Sequence, residues 1–595
     1  MNIPHERQYR ALELPEIISG LLAMFVVLWE ACFTDLATLS FEKNTFEEGL
    51  HILLASVVGC NTLTVIIHFI TKLIHKESPG RFLWWQLVTG LTACGIFAAG
   101  IGKQIPYHAF IISGLLSFVI GIYSVITIVA IARARKKSGK AHTRSHWSPA
   151  VVFFTWMITF VLLSTILLLT PGATHQPITF TEAFFTCSSA ISITGLTCVD
   201  VAGTFTALGK IVLLIDIQIG AMGVMTFSYF VLLMVGKKLA VRDRVAISSL
   251  LDQQGVNIIP SLIKAVIFVT FSVEIIGAAL LYFLWKGAPG VPQDHLWFRA
   301  LFHAVSAFCN AGIALFPQNM AEACVAHDKA VQGVMMLLTL AGTLGFSVYL
   351  EALTRMKNKL TGKRNPVRWS THSWLVVRVT IIVMLVGTVG LAILGALEPS
   401  QHLSSADYNL WESVWNTIGR SAGFTITDIS TYGQVYQLFL CLLMFVGGNP
   451  AGTGGGVFAP VFALCVLEVL RVLRGQPDLE LHGRRIARNT VERAMATVVL
   501  STFWIAASTM LLILLEPSLA QSANGVIKIL FLEISAYTTT GYSICNPGDL
   551  SEFSKLFICA NMLFGRVGMF TFMLIFIKQK EPSPLRYPET RLPLT

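Results

Sequence analysis

Four glycine-centred segments recur along this chain, and their composition suits the coordination of a cation by backbone oxygens. The segments read SAISITGLTCVD at 189–200, SAFCNAGIALF at 306–316, NTIGRSAGFTIT at 416–427 and SAYTTTGYSIC at 535–545. Glycine adopts φ values that allow the backbone carbonyls beside it to turn towards a common axis. A ring of such carbonyls can replace the water shell of a cation. We therefore ask whether the four segments are copies of one unit.

The four segments stay in register when they are aligned on their central glycines, Gly195, Gly312, Gly423 and Gly541. A hydroxyl-bearing residue stands six positions earlier each time: Ser189, Ser306, Thr417 and Ser535. Small residues precede the glycines, and large apolar or aromatic residues follow them: Thr194, Ala311, Ala422 and Thr540, then Leu196, Ile313, Phe424 and Tyr542. One glycine in an apolar run is usually a helix-packing contact. Four copies at intervals of 117, 111 and 118 residues indicate a repeated unit.

The elements that position these segments belong to a polytopic membrane protein. The 595-residue chain has a mean hydropathy of +0.68 and 13% charged residues, against about 25% in soluble domains. Apolar runs of about 20 residues, long enough to cross a bilayer as helices, recur throughout. The polar opening MNIPHERQYRALELPE lacks the layout of a cleavable signal peptide, so we expect the N-terminus to be retained.

The basic residues predict the topology. Of 43 Lys and Arg residues, 31 fall in 1–16, 72–82, 131–147, 237–244, 355–368, 471–493 and 578–595. The alternate loops hold six: Lys43, Lys103, Lys286, Arg299, Arg420 and Lys528. Because cytoplasmic loops are enriched in Lys and Arg, both termini are predicted to be cytoplasmic. The net charge of +10 is then a topology signal, and we predict no nucleic-acid partner.

The apolar runs divide the chain into five predicted regions. Residues 1–148 hold four spans, near 17–33, 50–71, 83–101 and 108–132, and have no assigned role. Four units follow at 149–245, 246–368, 369–490 and 491–595. Each unit has a long run, a short run and a long run: 149–170, 179–191 and 206–236; 261–285, 295–309 and 330–354; 373–397, 408–420 and 433–470; 494–516, 525–539 and 553–578.

The short runs are too short to span a bilayer, so they are predicted to be re-entrant helices. Non-helical backbone at membrane depth must be buried in protein or face a water-filled cavity. Four copies around one axis meet this condition by enclosing a single pore. The predicted fold is all-α, with four tandem M1–pore helix–M2 units around a pseudo-fourfold pore and four additional N-terminal transmembrane helices.

The segments SITGLT, AFCNAGI, RSAGFT and TTTGYS resemble those of the Trk/Ktr/HKT superfamily of potassium transporters, and most of all the bacterial Ktr/Trk membrane subunits. The resemblance covers about 149–578. It implies a homodimer in the bacterial inner membrane, with each protomer conducting K⁺ and in some members Na⁺. It assigns K⁺ binding to the backbone carbonyls of Thr194, Gly195, Leu196, Asn310, Ala311, Gly312, Ala422, Gly423, Phe424, Thr540, Gly541 and Tyr542. In the plant branch, Ser at the first glycine accompanies Na⁺ preference, so glycine in all four copies favours K⁺.

A glycine-rich stretch, GGNPAGTGGG at 447–456, interrupts the last long run of the third unit. A nucleotide-binding loop is disfavoured because no strand precedes the stretch and apolar runs flank it. In the resembled family the matching segment is an intramembrane loop that obstructs the pore. This implies gate residues Gly447, Gly448, Asn449, Pro450, Gly452, Thr453, Gly454, Gly455 and Gly456, with Arg566 from LFGRVGMF beside them. Family members often have PGST and then a Lys, which this chain lacks, so its loop could be regulated differently.

Arg566 is also a functional candidate on physical grounds, because a buried arginine in a membrane is costly. The alternative is a purely structural hydrogen-bonding role. Asp216 and Glu274 lie in other apolar runs. Either could attract cations, or could instead join helices by hydrogen bonds.

The predicted function is K⁺ uptake, with gating by the loop and by a cytoplasmic ring of RCK-type nucleotide-binding subunits. The resemblance implies this partner, and the basic segments 237–244, 355–368 and 471–493 would receive it. A nucleotide would bind only to the partner, and no covalently bound cofactor is expected. A Na⁺-permeable or cation-coupled carrier remains an alternative. A membrane-embedded enzyme is disfavoured, because the chain contains no Walker A or H-E-x-x-H sequence.

Overall fold

The computed structural model describes residues 149–170, 172–223, 259–360, 369–397, 410–450 and 452–568, which are mostly helical. The four N-terminal spans, both termini and the basic segment 237–244 lie outside the described residues. In chain order the helices are α1 Pro149–Leu168, α2 Phe180–Ser192, α3 Val201–Thr204, α4 Ala207–Met222, α5 Ile259–Trp285, α6 Leu296–Phe308, α7 Ala323–Ala326, α8 Lys329–Thr343, α9 Phe346–Leu360, α10 Thr371–Leu397, α11 Leu410–Gly419, α12 Gln434–Phe445, α13 Ala459–Leu473, α14 Arg488–Leu515, α15 Pro517–Ala520, α16 Gly525–Tyr537 and α17 Glu552–Val567.

The remaining regular elements are small. Single 3₁₀ turns occupy Asn319–Ala321, Ile429–Thr431 and Pro547–Asp549. A two-stranded antiparallel hairpin, β1 Glu480–Leu481 and β2 Arg484–Arg485, connects α13 to α14.

The chain divides into two compact units. The first contains 166–178 and 205–209 among the described residues, where Thr206 Oγ1 donates a 2.6 Å hydrogen bond to the carbonyl of Gly172. The second contains, among the described residues, 149–165, 179–204 and those from 210 to 568, and so holds all four glycine-centred segments.

Three of the described helices are long and apolar enough to cross a membrane: Val266–Trp285, Thr371–Leu397 and Arg488–Leu515. Each exposes large apolar side chains, such as Phe268 on α5, Ile382 on α10 and Phe503 on α14. Water would disfavour these faces, whereas lipid acyl chains would solvate them. The faces therefore match a protein surrounded by a bilayer.

Short helices lie at all four predicted short runs, and they differ from the long helices in burial. Helix α2 begins with a capping box, in which Thr179 and Glu182 each bond the backbone N–H of the other. This reciprocal cap satisfies two amides that a helix leaves free at its start. From Ala183 onwards, all but one residue of α2 is buried.

The last long helix of one unit packs against the short helix of the next. Helix α8 contacts α11, α12 contacts α16, and α17 contacts α2, which returns the series to the first short helix. Three of the four short helices, α2, α11 and α16, thus pack against a long helix of another unit. These contacts join all four units and help to bring the four glycine-centred segments together.

The long apolar run 330–354 contains a break that the sequence analysis did not predict. Helix α8 ends at Thr343 and α9 begins at Phe346. The carbonyls of Gly342 and Thr343 accept hydrogen bonds from the glycine-rich stretch, from Thr453 N and Asn449 Nδ2 respectively. The predicted interruption of the third unit is present, since α12 ends at Phe445 and α13 begins at Ala459.

Candidate functional site

The four central glycines all have left-handed backbones. Their φ values are 89° at Gly195, 68° at Gly312, 73° at Gly423 and 96° at Gly541. Side chains other than glycine are strained in this region of conformational space. The backbone conformation alone therefore favours glycine at each position.

The surroundings impose the same requirement a second time. A Cβ atom added to any one of these glycines would collide with a carbonyl oxygen of the next segment: Gly195 with Ala311, Gly312 with Ala422, Gly423 with Thr540 and Gly541 with Thr194. Because the fourth contact returns to the first segment, the four segments form a closed ring in chain order. The predicted filter residues are thus brought together from all four units.

Three of the short helices end in the same way. Ile193, Asn310 and Thr539, each two residues before a ring glycine, are left-handed. The next amide in each segment reaches back five residues: Thr194 N to Ser189 O at 2.8 Å, Ala311 N to Ser306 O at 2.8 Å, and Thr540 N to Ser535 O at 2.9 Å. This is the Schellman arrangement, which satisfies carbonyls at a helix end.

The third short helix ends differently. In this segment the amides of Ala422 and Gly423 both donate to the carbonyl of Gly419, at 2.9 and 2.7 Å. The residue two positions before Gly423 is Ser421, and it is not left-handed. The third segment of the ring therefore reaches its glycine through a different backbone conformation.

The hydroxyls six residues before the ring glycines bond backbone groups of the ring segment in three of the four units. Ser189 Oγ accepts from the amide of Gly195 at 3.0 Å, and Ser535 Oγ accepts from that of Gly541 at 3.1 Å. In the second segment the hydroxyl acts as a donor, from Ser306 to the carbonyl of Ile313 at 2.7 Å.

The third hydroxyl makes a different contact. Thr417 Oγ1 donates back into its own helix, to the carbonyl of Ser413 at 2.7 Å.

The large residues that follow the ring glycines support the ring by packing in the protein interior. All four are buried: Leu196, Ile313, Phe424 and Tyr542. The indole of Trp415 donates to the carbonyl of Phe424 at 2.9 Å.

The glycine-rich stretch folds back on itself between α12 and α13. The amide of Gly447 donates to the carbonyl of Val457 at 2.8 Å, and that of Gly448 donates to Gly455 at 3.3 Å. The amide of Gly452 donates to Asn449, 3.0 Å away, so a turn encloses Pro450. A Cβ at Gly448 would lie 2.9 Å from the α-carbon of Gly454, too close for any other residue.

This loop contacts the second and the fourth units next to the ring. Asn449 Nδ2 donates to the carbonyl of Thr343 at 3.0 Å, and Thr453 Oγ1 donates to that of Phe308 at 3.1 Å. On the other side, a Cβ at Gly456 would meet the backbone of Thr538. The loop thus lies against the ends of the short helices α6 and α16.

Arg566 joins the loop to the first unit. Its Nη1 donates to the carbonyl of Thr453 at 2.5 Å, and its Nη2 donates to that of Gly220 at 2.8 Å. Gly220 lies in the last turn of α4, where carbonyls lack partners within the helix. One guanidinium therefore caps a helix and holds the loop.

Arg420 was counted with the external loops, and the structure corrects this. The residue is 4% exposed, and its Nη1 donates to the carbonyls of Leu443, at 3.2 Å, and Val446. These carbonyls lie at the end of α12, immediately before the loop. The signal available in the sequence was a lone arginine in a run of small and apolar residues, three positions before Gly423.

The two arginines carry positive charge without neighbouring carboxylates. In the part of the chain that the structure describes, the ion pairs involve Arg471, Arg485, Arg488 and Lys555, and neither Arg420 nor Arg566 takes part in one. Both guanidiniums instead bond carbonyls at helix ends, which carry partial negative charge.

Three further glycines were missed by the sequence analysis. A Cβ at each would collide with the carbonyl of the residue four positions before a ring glycine: Gly220 with Ile191, Gly342 with Phe308 and Gly565 with Tyr537. The long helices after the ring thus approach the short helices at glycines. Their recurrence after three of the four ring segments was the signal that could have identified them.

Asp216 and Glu274 are both buried and hydrogen-bonded between helices. Asp216 Oδ1 accepts from Ser164 Oγ at 2.5 Å, and Glu274 Oε2 accepts from Gln218 Nε2 at 3.3 Å. Glu274 also lies 3.5 Å from the thiol of Cys309. For both carboxyl groups these contacts favour the alternative in which the group joins helices by hydrogen bonds.

Comparisons with known proteins agree on one family. The family described as "TrkH: Cation transport protein" matches residues 114–585. The Ktr system potassium uptake protein B of Bacillus subtilis is 30% identical over 444 residues, covering 74% of this chain and 95% of that protein. The protein of the same name from Vibrio alginolyticus is 29% identical over 453 residues, covering 76% and 96%. The crystal structure of the potassium transporter TrkH from Vibrio parahaemolyticus superposes with a TM-score of 0.56 at 15% identity, covering 88% of this chain and 97% of that one.

Proposed function

This chain belongs to the TrkH family of cation transport proteins, and we propose that it mediates K⁺ uptake across the bacterial cytoplasmic membrane. The family is one of membrane transporters. The proposed architecture is four M1–pore helix–M2 units around a pseudo-fourfold pore, with four further helices at the N-terminus. The similar Ktr proteins are named for potassium uptake, which supports K⁺ as the transported ion.

The observation that carries the proposal is the closed ring of glycines and carbonyls. The carbonyls of Thr194, Ala311, Ala422 and Thr540 each lie against the glycine of the preceding segment. Carbonyl dipoles from four sides can replace the hydration shell of K⁺. We assign the selectivity filter to these residues together with the four glycines, Asn310 and the buried residues that follow the glycines.

The glycine-rich loop is proposed as the gate. It lies against the ends of α6 and α16, which lead into the filter, and Arg566 holds its carbonyl at Thr453. A loop in this position obstructs ions that leave the filter on the cytoplasmic side. The charge of Arg566 adds an electrostatic barrier to K⁺ at the same place.

The membrane potential would drive uptake, since it contributes about 2.3 kcal/mol per elementary charge for each 100 mV. We also propose a homodimer with both termini in the cytoplasm. A cytoplasmic nucleotide-binding ring would regulate the gate by docking on the basic segments, of which 471–493 is described and exposes Arg474 and Arg484. The name "Ktr system" of the similar proteins supports a multi-component assembly.

The deciding experiment measures K⁺ and Na⁺ flux in proteoliposomes, with Gly312→Ala compared with two controls. Gly312→Ala introduces both backbone strain and a collision with Ala422. Gly287 has φ 75° but open space around it, so Gly287→Ala tests backbone strain without a collision. Gly333 lies in a helix with open space around it, so Gly333→Ala introduces neither strain nor a collision.

We expect selective K⁺ flux in the unmodified protein and in both controls, and impaired selectivity in Gly312→Ala. Equal K⁺ and Na⁺ fluxes in the unmodified protein would support the Na⁺-permeable carrier instead. Absence of any cation flux from monodisperse, reconstituted protein would contradict transport by this chain alone.

A further inference from the structure

Asn310 is one of three left-handed residues that lie two positions before a ring glycine, and it makes side-chain hydrogen bonds that the other two lack. It is fully buried, left-handed at φ 60° and two residues before Gly312. The first unit has Ile193 at this position, with no polar side-chain atom. The fourth has Thr539, whose Oγ1 has no hydrogen-bond partner among the described residues.

The amide group of Asn310 connects the loop to the third ring segment. Its Nδ2 donates to Thr453 Oγ1 at 2.6 Å. Its Oδ1 accepts from Ser421 Oγ at 3.3 Å, and the same hydroxyl is also directed at the carbonyl of Ile418, 3.0 Å away. Ser421 lies two residues before Gly423, and Thr453 is the loop residue that Arg566 holds. One planar side chain thus contacts the loop and two neighbouring members of the ring.

We propose that Asn310 couples the position of the loop to the geometry of the filter, so that the ion selectivity changes when the loop moves. The inference rests on the proposed transport function. The donor and acceptor of an amide are fixed in one plane, so the contacts to Thr453 and Ser421 cannot adjust independently. When Thr453 moves away, Nδ2 becomes a buried donor without a partner, and the amide must turn to find another.

That rotation acts directly on the ring. It withdraws Oδ1 from Ser421, which precedes Ala422 and Gly423. It also changes the restraint on Asn310 itself, whose neighbour Ala311 provides the carbonyl that faces Gly195. A loop movement is therefore transmitted to carbonyls of the second and third segments through a single side chain.

The test is a double-mutant cycle in proteoliposomes that measures the ratio of K⁺ to Na⁺ flux. Asn310→Gly removes both contacts and keeps the left-handed backbone unstrained. Thr453→Val removes the loop hydroxyl, and with it the hydrogen bonds to Asn310 and to the carbonyl of Phe308. We expect each variant to shift the ratio by about fivefold, a coupling typical of residues in direct contact, and the double variant to shift it no further. Thr453→Ser should retain the original ratio.

Thr539→Val is the matched control, because it replaces the hydroxyl at the equivalent position of the fourth unit without loss of a hydrogen bond. Its ratio should equal that of the unmodified protein. Additive shifts in the double variant, or an unchanged ratio in Thr453→Val, would overturn the coupling while leaving transport intact. If Asn310→Gly does not fold, the Val and Ser variants of Thr453 decide the question. If the unmodified protein shows no K⁺ flux, the proposed function itself is contradicted.

Discussion

The guanidinium of Arg566, in the last turn of α17, lies 2.5 Å from the carbonyl oxygen of Thr453, 113 residues earlier in the chain. The same guanidinium caps α4 through Gly220. Its two arms therefore connect the first and fourth units to a loop of the third. A movement of the loop must break this hydrogen bond.

Replacement of Arg566 by Gln should increase K⁺ flux. A hydrogen bond to a charged group contributes about 1.5–3 kcal/mol, so its loss should displace the loop equilibrium by about tenfold or more. Lys should give an intermediate flux, since it keeps the charge but not the two-armed geometry. Flux per folded protein and thermal stability are measured on both variants. Lower stability with unaltered flux in both would show that Arg566 only joins helices.

Gly195→Ser should lower the K⁺/Na⁺ flux ratio. The new side chain collides with the carbonyl of Ala311, and the left-handed backbone of a non-glycine residue adds roughly 1–3 kcal/mol of strain. Gly287→Ser is the control, because it has a similar φ in open space. An unchanged ratio in monodisperse Gly195→Ser protein would remove Gly195 from the filter.

Deletion of Asn449–Gly455 should raise K⁺ flux and weaken regulation by a cytoplasmic partner. The deletion removes the side chains that bond Thr343 and Phe308, and with them the obstruction proposed above. Flux is compared at equal protein density with that of the complete chain. Decreased flux from a stably inserted deletion variant would contradict the gate assignment.

Arg420→Gln should behave differently from Arg566→Gln. Arg420 bonds the carbonyls of Leu443 and Val446 at the end of α12, and each carbonyl left without a partner costs about 1–3 kcal/mol. We expect a lower unfolding temperature without the rise in flux predicted for Arg566→Gln. If both variants raise the flux equally, the two arginines hold the gate in the same way.

Glu516, just beyond α14, predicts a pH dependence of stability. Burial acts to raise the pKa of its carboxyl, but hydrogen bonds from Ser551 and Ser554 lower the pKa below its ordinary value. Because the folded-state pKa is depressed, the stabilisation is present above the unfolded pKa of about 4.3 and is lost as the pH falls through the folded pKa. Glu516→Gln should therefore be less stable than the unmodified protein at neutral pH, and the difference should shrink on acidification. A difference independent of pH would contradict this assignment.

The sequence by itself determined the elements of the site. The short helices, the four ring glycines and the break before Ala459 follow from composition, because hydrophobic run length and glycine content act on the local backbone. The positions of Gly195, Gly312, Gly423 and Gly541 were readable because the same local requirement occurs four times.

Only the tertiary structure decided which groups meet. Arg420 was misplaced because its partners, Leu443 and Val446, lie in another helix, and no local pattern identifies a distant carbonyl. The break between Thr343 and Phe346 was missed for the same reason. The loop that donates hydrogen bonds to the carbonyls at the end of α8 is about a hundred residues away in the chain. A buried donor must find an acceptor wherever packing places one, and packing depends on the whole chain.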